Sequence, residues 1–248
     1  MRVWYTKSMP MFSPTETAAA LDDGSLSERA MTAIRRMIFS GDLPGGTVVQ
    51  DRKLAEQLGL SRTPVREALG RLAGEGYLRR DGRLLTVQGV SVEDVMEILA
   101  TRRALEGETA RLAAGRLSPE QLAAIRGAIE GMVEPRAVSH DRHWSVDDLV
   151  HLSIAEASGN RLMARLVKEL RERTRMFGLS RIPRRFDPGK GEHLAILSAI
   201  ERADGAAAAE AMRRHIDNAR QGILDLLAGT LPREPDPNPV ISVSGTRT

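Results

Sequence analysis

Three histidines and one aspartate occupy positions that helical spacing would turn towards a common interior. His193 shares a stripe with Ile196, Leu197 and Ile200, and His215 shares one with Ala208, Ala211, Met212 and Ala219. Asp147 and His151 are i, i+4 neighbours, with Ile154 and Ala155 continuing the same side, so both can reach one ion from a single helix. A lone inward histidine is ordinarily a hydrogen-bonded core residue. Three of them with a carboxylate, on three helices, are better explained by one divalent metal. Neutral imidazoles with a carboxylate suit Zn²⁺ first, with Ni²⁺, Mn²⁺ and Fe²⁺ also compatible. His140 and His143 fall in an expected loop and are read as solvated. Arg102 joins Val95, Ile98, Leu99 and Leu105 on one stripe, so its guanidinium points inward and needs a partner. A ligand carboxylate and a structural Glu or Asp are equally good candidates, while Arg103 snorkels outward.

A second set of residues suits a polyanion. Arg62 and Arg66 lie one turn apart with Thr63 beside them, opposite the apolar face formed by Val65, Ala68, Leu69 and Leu72. An arginine at the start of such a helix can pair bidentately with guanine in the major groove. Arg52 opens the preceding helix, within reach of a phosphate or a base. Arg79, Arg80 and Arg83 surround Gly82 at a hairpin tip. The stretch 25–90 carries eleven Lys and Arg against seven Asp and Glu, whereas 91–228 is balanced. The positive excess, +4 in this stretch against +3 for the whole chain, therefore sits in one small segment. The competing reading is a solvated basic face.

The elements that must position these residues are mostly helical. Ala30, Ala33, Ile34, Met37 and Ile38 form one stripe, broken by Gly41, Pro44, Gly45 and Gly46. Asp51 is expected to cap a short helix through Gln57, and Ser61 to cap the next. Asp81-Gly82 suits a type I′ turn between Tyr77–Arg80 and Arg83–Val87, a two-stranded wing. From Ser91 onward only helices are expected, near 92–114, 118–133, 144–157, 160–178, 191–203 and 207–228. Capping boxes are expected at Ser91, Ser118 and Ser145. The region of Pro183 and Pro188 reads as a loop. The expected organisation is a loose arm over 1–24, a winged helix-turn-helix over 25–90, an antiparallel all-α bundle of about six helices over 91–229, and a disordered tail over 230–248.

Composition narrows the class. The chain has 248 residues, enough for two cores, with 42% hydrophobic and 28% charged residues, as in a soluble globular protein. Aromatics at 3% argue against a base-stacking platform. No apolar run approaches a membrane span, and no secretion signal is evident. The absence of cysteine removes disulfides and thiolate chemistry and fits a reducing cytoplasm.

Ser61-Arg62-Thr63-Pro64-Val65-Arg66-Glu67-Ala68-Leu69 resembles the signature of the GntR family of bacterial transcription regulators. Leu43-Pro44-Gly45, Asp51-Arg52-Lys53-Leu54-Ala55 and Glu75-Gly76-Tyr77-Leu78 are similar to its flanking segments. The resemblance implies a winged helix that binds a short palindrome as a homodimer. It implies DNA contacts at Arg52, Arg62, Thr63, Arg66 and Gly82, with Ser61 and Arg83 beside them. The wing sequence is poorly matched.

The second half is similar to the all-helical effector (FCD) domain of the FadR-type branch. The matching segments are Asp147-Asp148-Leu149-Val150-His151, Glu156-Ala157-Ser158-Gly159-Asn160, Glu192-His193-Leu194-Ala195-Ile196-Leu197 and Ala211-Met212-Arg213-Arg214-His215. Arg102-Arg103-Ala104-Leu105-Glu106 resembles its first helix. Metal-binding members hold the ion with an Asp and three His, matching Asp147, His151, His193 and His215. Water or a small carboxylate effector takes the remaining positions, which assigns Arg102 to the effector. Val150 stands where many members have Phe, which bears on packing. The expected protein is a cytoplasmic, metal-dependent, ligand-responsive DNA-binding regulator, a non-enzyme with double-stranded operator DNA and a small organic acid as partners. The alternatives are a metal-dependent hydrolase using the Asp/His₃ site, with Glu156 or Asp148 as base, and a DNA scaffold with a purely structural metal.

Overall fold

The computed structural model describes residues 25–132, 140–177 and 186–229. The expected arm and tail lie outside the described residues. The chain divides into two compact units between Gln88 and Gly89.

The first unit is built on three helices: α1 (Leu26–Ser40), α2 (Asp51–Leu58) and α3 (Arg62–Gly74). Ala30, Ile34 and Ile38 of α1 are buried with Val65, Ala68, Leu69 and Leu72 of α3, so the apolar face expected of α3 is the face it buries. Gly41 and Gly59 end α1 and α2 in the left-handed conformation, where glycine carries no Cβ penalty.

Three local expectations are corrected. Gln50, not Asp51, is the N-cap of α2, which leaves the Asp51 carboxylate in the first turn and available to α3. Ser61 holds the N-cap position of α3, but its side chain makes no capping bond. The wing has three strands: β1 (Val48–Val49) pairs antiparallel with β3 (Leu84–Val87), which also pairs with β2 (Leu78–Asp81). A two-residue strand is too short to announce itself by alternation. Asp81 pairs with Leu84, so the turn is Gly82-Arg83, and only Gly82 has positive φ. That is the pattern of a type II′ turn, with glycine first, rather than the type I′ expected. It places Arg83 at the tip.

Among the described residues the second unit has six helices: α4 (Val92–Ala113), α5 (Pro119–Glu130), α6 (His140–Ala157), α7 (Arg161–Met176), α8 (Phe186–Glu201) and α9 (Gly205–Leu227). Capping boxes at Ser91 and Ser118 start α4 and α5 as the sequence predicts. The box expected at Ser145 does not form, because α6 begins at His140 and Ser145 lies inside it. His143 is accordingly helical and half-buried rather than solvated in a loop, and the side chain of His140 lies outside the described residues. The α8 backbone is already helical at Pro188, contrary to the loop reading. In a first turn proline loses no intrahelical bond. Pro183 lies outside the described residues.

Helix α4 is the organiser, packing on α9 most extensively and also on α6, α7 and α8. Val95, Leu99, Ile154, Ile196, Ile200 and Met212 belong to one buried cluster. Lys190 Nζ donates to the carbonyls of Glu130 and Met132, at 3.2 and 3.3 Å, so a cation from α8 covers the α5 C-terminus. Small residues admit α9 against α4: a Cβ on Gly205 would stand 2.8 Å from the Arg111 carbonyl oxygen. Gly205→Ala is therefore expected to lower stability by about 1–3 kcal/mol, read as a lower denaturant midpoint of the helical signal. An unchanged midpoint would mean that α4 and α9 separate freely there.

Candidate functional site

Helices α6, α8 and α9 deliver the four acid and imidazole groups to one place. Asp147, His151, His193 and His215 each offer a ligand atom, and these atoms all lie within 4.8 Å of one another. The three histidines are 1%, 4% and 7% exposed. Nε2 of His151 is 3.2 Å from Nε2 of His215, and Nε2 of His193 is 3.3 Å from Asp147 Oδ1. Each position follows from helix periodicity: α6 presents Asp147 and His151 on successive turns, while α8 and α9 present a histidine among Ile196, Ile200, Met212 and Ile216.

The far nitrogens of two imidazoles are held by carboxylates. His151 Nδ1 bonds Glu106 Oε2, and His215 Nδ1 bonds Glu192 Oε2 at 2.8 Å. Glu192 also accepts from Asn218 Nδ2 at 2.8 Å. Burial pushes the His151 imidazole down to about 3, Arg171 adds to that, and Glu106 opposes it. Burial likewise lowers His215. Both rings are thus neutral, with the proton on Nδ1 and a lone pair on Nε2. Two such lone pairs facing each other at 3.2 Å cannot hydrogen-bond, and a cation between them would satisfy both. Nδ1 of His193 has no hydrogen-bond partner among the described residues, and its Nε2 faces only Asp147. The donor set thus fits a divalent cation, with Glu106 and Glu192 orienting two imidazoles from behind.

Arginines complete the surroundings. Arg102 is 5% exposed, as its stripe predicts. Its Nε donates to Glu106 Oε1 at 2.6 Å and its Nη1 to Thr174 Oγ1 at 3.3 Å. Arg103 points outward to Asp217. Arg171, 1% exposed, donates from Nη2 to Asp147 Oδ2 at 2.6 Å and from Nε and Nη2 to Asp148 Oδ1 at 3.0 and 2.7 Å. This guanidinium offsets the burial of Asp147 and holds its carboxyl well below the usual range. Glu106 and Glu192 stand in the family-like segments of the sequence without a role, and Arg171 and Thr174 carry no sequence signal of their part here. The i, i+4 relation of Arg102 to Glu106 was visible; the 72-residue separation from Thr174 was not.

In the first unit, Arg62, Thr63 and Arg66 are all exposed at the start of α3. Arg62 Nη2 and Arg66 Nη2 both donate to Asp51 Oδ2, at 3.0 and 3.1 Å. The Asp51 carboxyl is lowered first by its bond from Arg62, then by that from Arg66. Arg52 pairs with Glu56 at 3.0 Å. Ser61, Gly82 and Arg83 are exposed. The structure thus gathers Ser61, Arg62, Thr63 and Arg66 around the α3 start, with Arg52 on α2 and Gly82 and Arg83 at the wing tip.

Comparison with known proteins decides what these two units are. The GntR family of bacterial regulatory proteins matches residues 26–86, and the FCD domain matches residues 97–218. The HTH-type transcriptional regulator LutR of Bacillus subtilis is 30% identical over 221 residues, covering 78% of this chain and 97% of LutR. The chain belongs to the GntR family. A relative described as "Probable D-xylose utilization operon transcriptional repressor", from Paenarthrobacter nicotinovorans, is 29% identical, covering 81% of this chain and 89% of its own. The solved structure of E. coli McbR/YncC shares the fold, with a TM-score of 0.71 at 24% identity, covering 84% of this chain and all of that one. This GntR-family protein is a transcription regulator with an FCD domain, and its family and relatives are regulators, not enzymes. No helix among the described residues is long and apolar enough to cross a membrane.

Two consequences follow for the second unit. Glu106 faces Arg102 and His151 in a buried site, so Glu106→Gln is expected to cost about 3 kcal/mol or more, by stranding a buried guanidinium. Chemical unfolding at neutral pH measures this. Acidification acts in the same direction. The folded state holds His151 at about 3 against 6.5 when unfolded, so the unfolded chain binds more protons between these values. Metal-free protein is expected to lose stability progressively as pH falls from 6.5 towards 3, measured as thermal midpoint against pH.

Proposed function

We propose that the protein binds a palindromic operator as a homodimer and is controlled by a small carboxylate metabolite bound at a divalent metal in the FCD domain. The observation that carries this reading is the convergence of Asp147, His151, His193 and His215 within 4.8 Å, with two imidazole lone pairs opposed. Those four residues would hold the ion, Zn²⁺ first, with Ni²⁺, Mn²⁺ or Fe²⁺ compatible. When bound, it supplies a Lewis-acidic position for a ligand oxygen. Arg102 spends Nε on Glu106 and Nη1 on Thr174, which leaves Nη2 as its donor for the effector's carboxylate.

In the first unit, α3 is the recognition helix. Arg62 and Arg66 read base edges, Thr63 and Ser61 approach at the helix start, Arg52 meets the backbone, and Gly82 and Arg83 carry the wing along it. A two-fold symmetric homodimer matches a palindrome. Control requires the effector to bind one dimer arrangement more tightly than the other, since a ligand without differential affinity shifts no equilibrium. Residues 25–90 and 91–229 serve as reader and sensor respectively, in the cytoplasm.

Neither carboxylate named for the hydrolase alternative is placed as a free base beside the cluster. Asp148 Oδ1 accepts from Arg171, and Glu156 is exposed on α6. Arg102 does not separate the scaffold alternative from the regulator, because Glu106 is the structural carboxylate partner that the sequence also allowed.

The metal assignment is tested by a double variant, His193→Ala with His215→Ala. Wild-type protein is expected to retain about one metal per chain after dialysis, and the double variant none, by elemental analysis. Stoichiometric metal in the double variant would end the assignment. Arg66→Ala is expected to weaken binding to a selected operator by roughly tenfold or more, and unchanged operator preference would remove its base-reading role. Addition of small hydroxy and keto acids to the metal-loaded protein is expected to change operator affinity; indifference to every acid favours the scaffold.

A further inference from the structure

Asp51 suits the N-terminal turn of its own helix, where it also accepts a backbone bond from Arg52, and yet most of its bonding goes to the next helix. The N-cap of α2 is Gln50, and the Asp51 carboxylate turns mainly to α3. Arg62 Nη2 donates to Oδ1 and Oδ2 at 3.2 and 3.0 Å. Arg66 Nε and Nη2 donate to Oδ2 at 3.3 and 3.1 Å. Two arginine side chains that are 58% and 68% exposed therefore share one carboxylate that is only 25% exposed. Exposed ion pairs contribute little stability, so this arrangement matters for where it puts the guanidiniums.

The donor count shows what remains. A guanidinium has five N–H groups. Asp51 takes the Nε–Nη2 edge of Arg66 and two bonds from Nη2 of Arg62, so Arg66 keeps N–H groups on both terminal nitrogens and Arg62 keeps those on Nε and Nη1. Those are the groups that a guanine O6/N7 pair accepts. The same carboxylate cancels one of the two positive charges on this face. Attraction to phosphate, which is blind to sequence, is reduced, while the directed donors are kept.

We propose that Asp51 is a positioning and specificity-determining residue for DNA binding: it orients Arg62 and Arg66 as a preformed pair of base-reading forks and limits their use as generic phosphate contacts. This rests on the reading of α3 as the recognition helix. Fixing the side chains before DNA arrives removes part of the ordering cost of the specific complex. Cancelling charge handicaps the non-specific complex. Both effects widen the gap between right and wrong sequences.

The test uses full-length protein and two duplexes: one enriched by the wild type from a random-sequence library, and one of shuffled sequence. Asp51→Asn is expected to bind the shuffled duplex several-fold more tightly. Its salt slope should steepen by about one for each phosphate newly engaged. The enriched-to-shuffled affinity ratio should fall roughly tenfold, the worth of one good bidentate base contact. Asp51→Glu keeps the charge but displaces it, so the salt slope should stay at the wild-type value while the ratio falls; this variant carries the test if Asp51→Asn does not fold. A plain packing clamp between α2 and α3 would weaken both duplexes in parallel with a lower melting temperature, and that outcome overturns the proposal. So does a wild-type ratio in Asp51→Asn or Asp51→Glu while Arg62→Ala or Arg66→Ala loses it. Should neither arginine variant change the ratio, the recognition-helix reading fails first and this proposal with it.

Discussion

Three imidazoles and a carboxylate enclosed in an apolar helical bundle impose a constraint that most of the second unit serves. Burial keeps His151 and His215 neutral, and neutral rings need a defined tautomer. Glu106 and Glu192 provide it by accepting from the Nδ1 atoms, which turns the Nε2 lone pairs of His151 and His215 towards each other. A carboxylate buried in this way must itself be compensated. Arg102 does so for Glu106, and Arg171 for Asp147. Each charge brought inside calls for the next, until the chain of partners reaches Asp148, Thr174 and Asn218 near the edge of the bundle. Helix α4 carries Arg102 and Glu106 and packs on the three helices that hold the cluster, so the long central helix and the site are one construction.

The DNA-binding unit uses a carboxylate differently. Asp51 is partly exposed, in water-like dielectric, where its pairs with Arg62 and Arg66 contribute little stability but restrict two long side chains. Buried Glu106 belongs to the opposite regime. Removing its charge leaves a guanidinium with nowhere to go, so its effect is on stability first. The same chemistry, carboxylate with guanidinium, thus orients in one unit and compensates burial in the other.

The proposed control by a ligand requires these two regimes to communicate. A ligand oxygen at the metal position and a carboxylate at Arg102 would enter the buried network, where rearrangement is costly and alternatives are discrete rather than graded. A discrete change in helix arrangement is the kind of event that would bias the proposed dimer between two spacings of its recognition helices. The family's combination of a reader and a sensor in one chain has a physical rationale in that contrast.

Much of this was legible in the sequence because helical periodicity is strong here. The inward stripes of α8 and α9 placed His193 and His215, and the i, i+4 step placed Asp147 with His151. Arg102 was placed inward and Arg103 outward for the same reason. Tertiary structure alone decided which groups face these residues. Glu106 lies 45 residues from His151 and Glu192 lies 23 from His215, and no local pattern encodes such pairings. Local competition also escaped the sequence. Asp51 had the chemistry of a cap but was drawn to two guanidiniums. The wing turn shifted by one residue because β3 is registered from both sides, with Val48 opposite Thr86 and Asp81 opposite Leu84. The sequence by itself determined the faces of the helices and hence which groups go inside, because periodicity is a property of one chain segment. Which buried group meets which was decided by helix packing, because a charge in an apolar interior takes whatever partner the fold brings within reach.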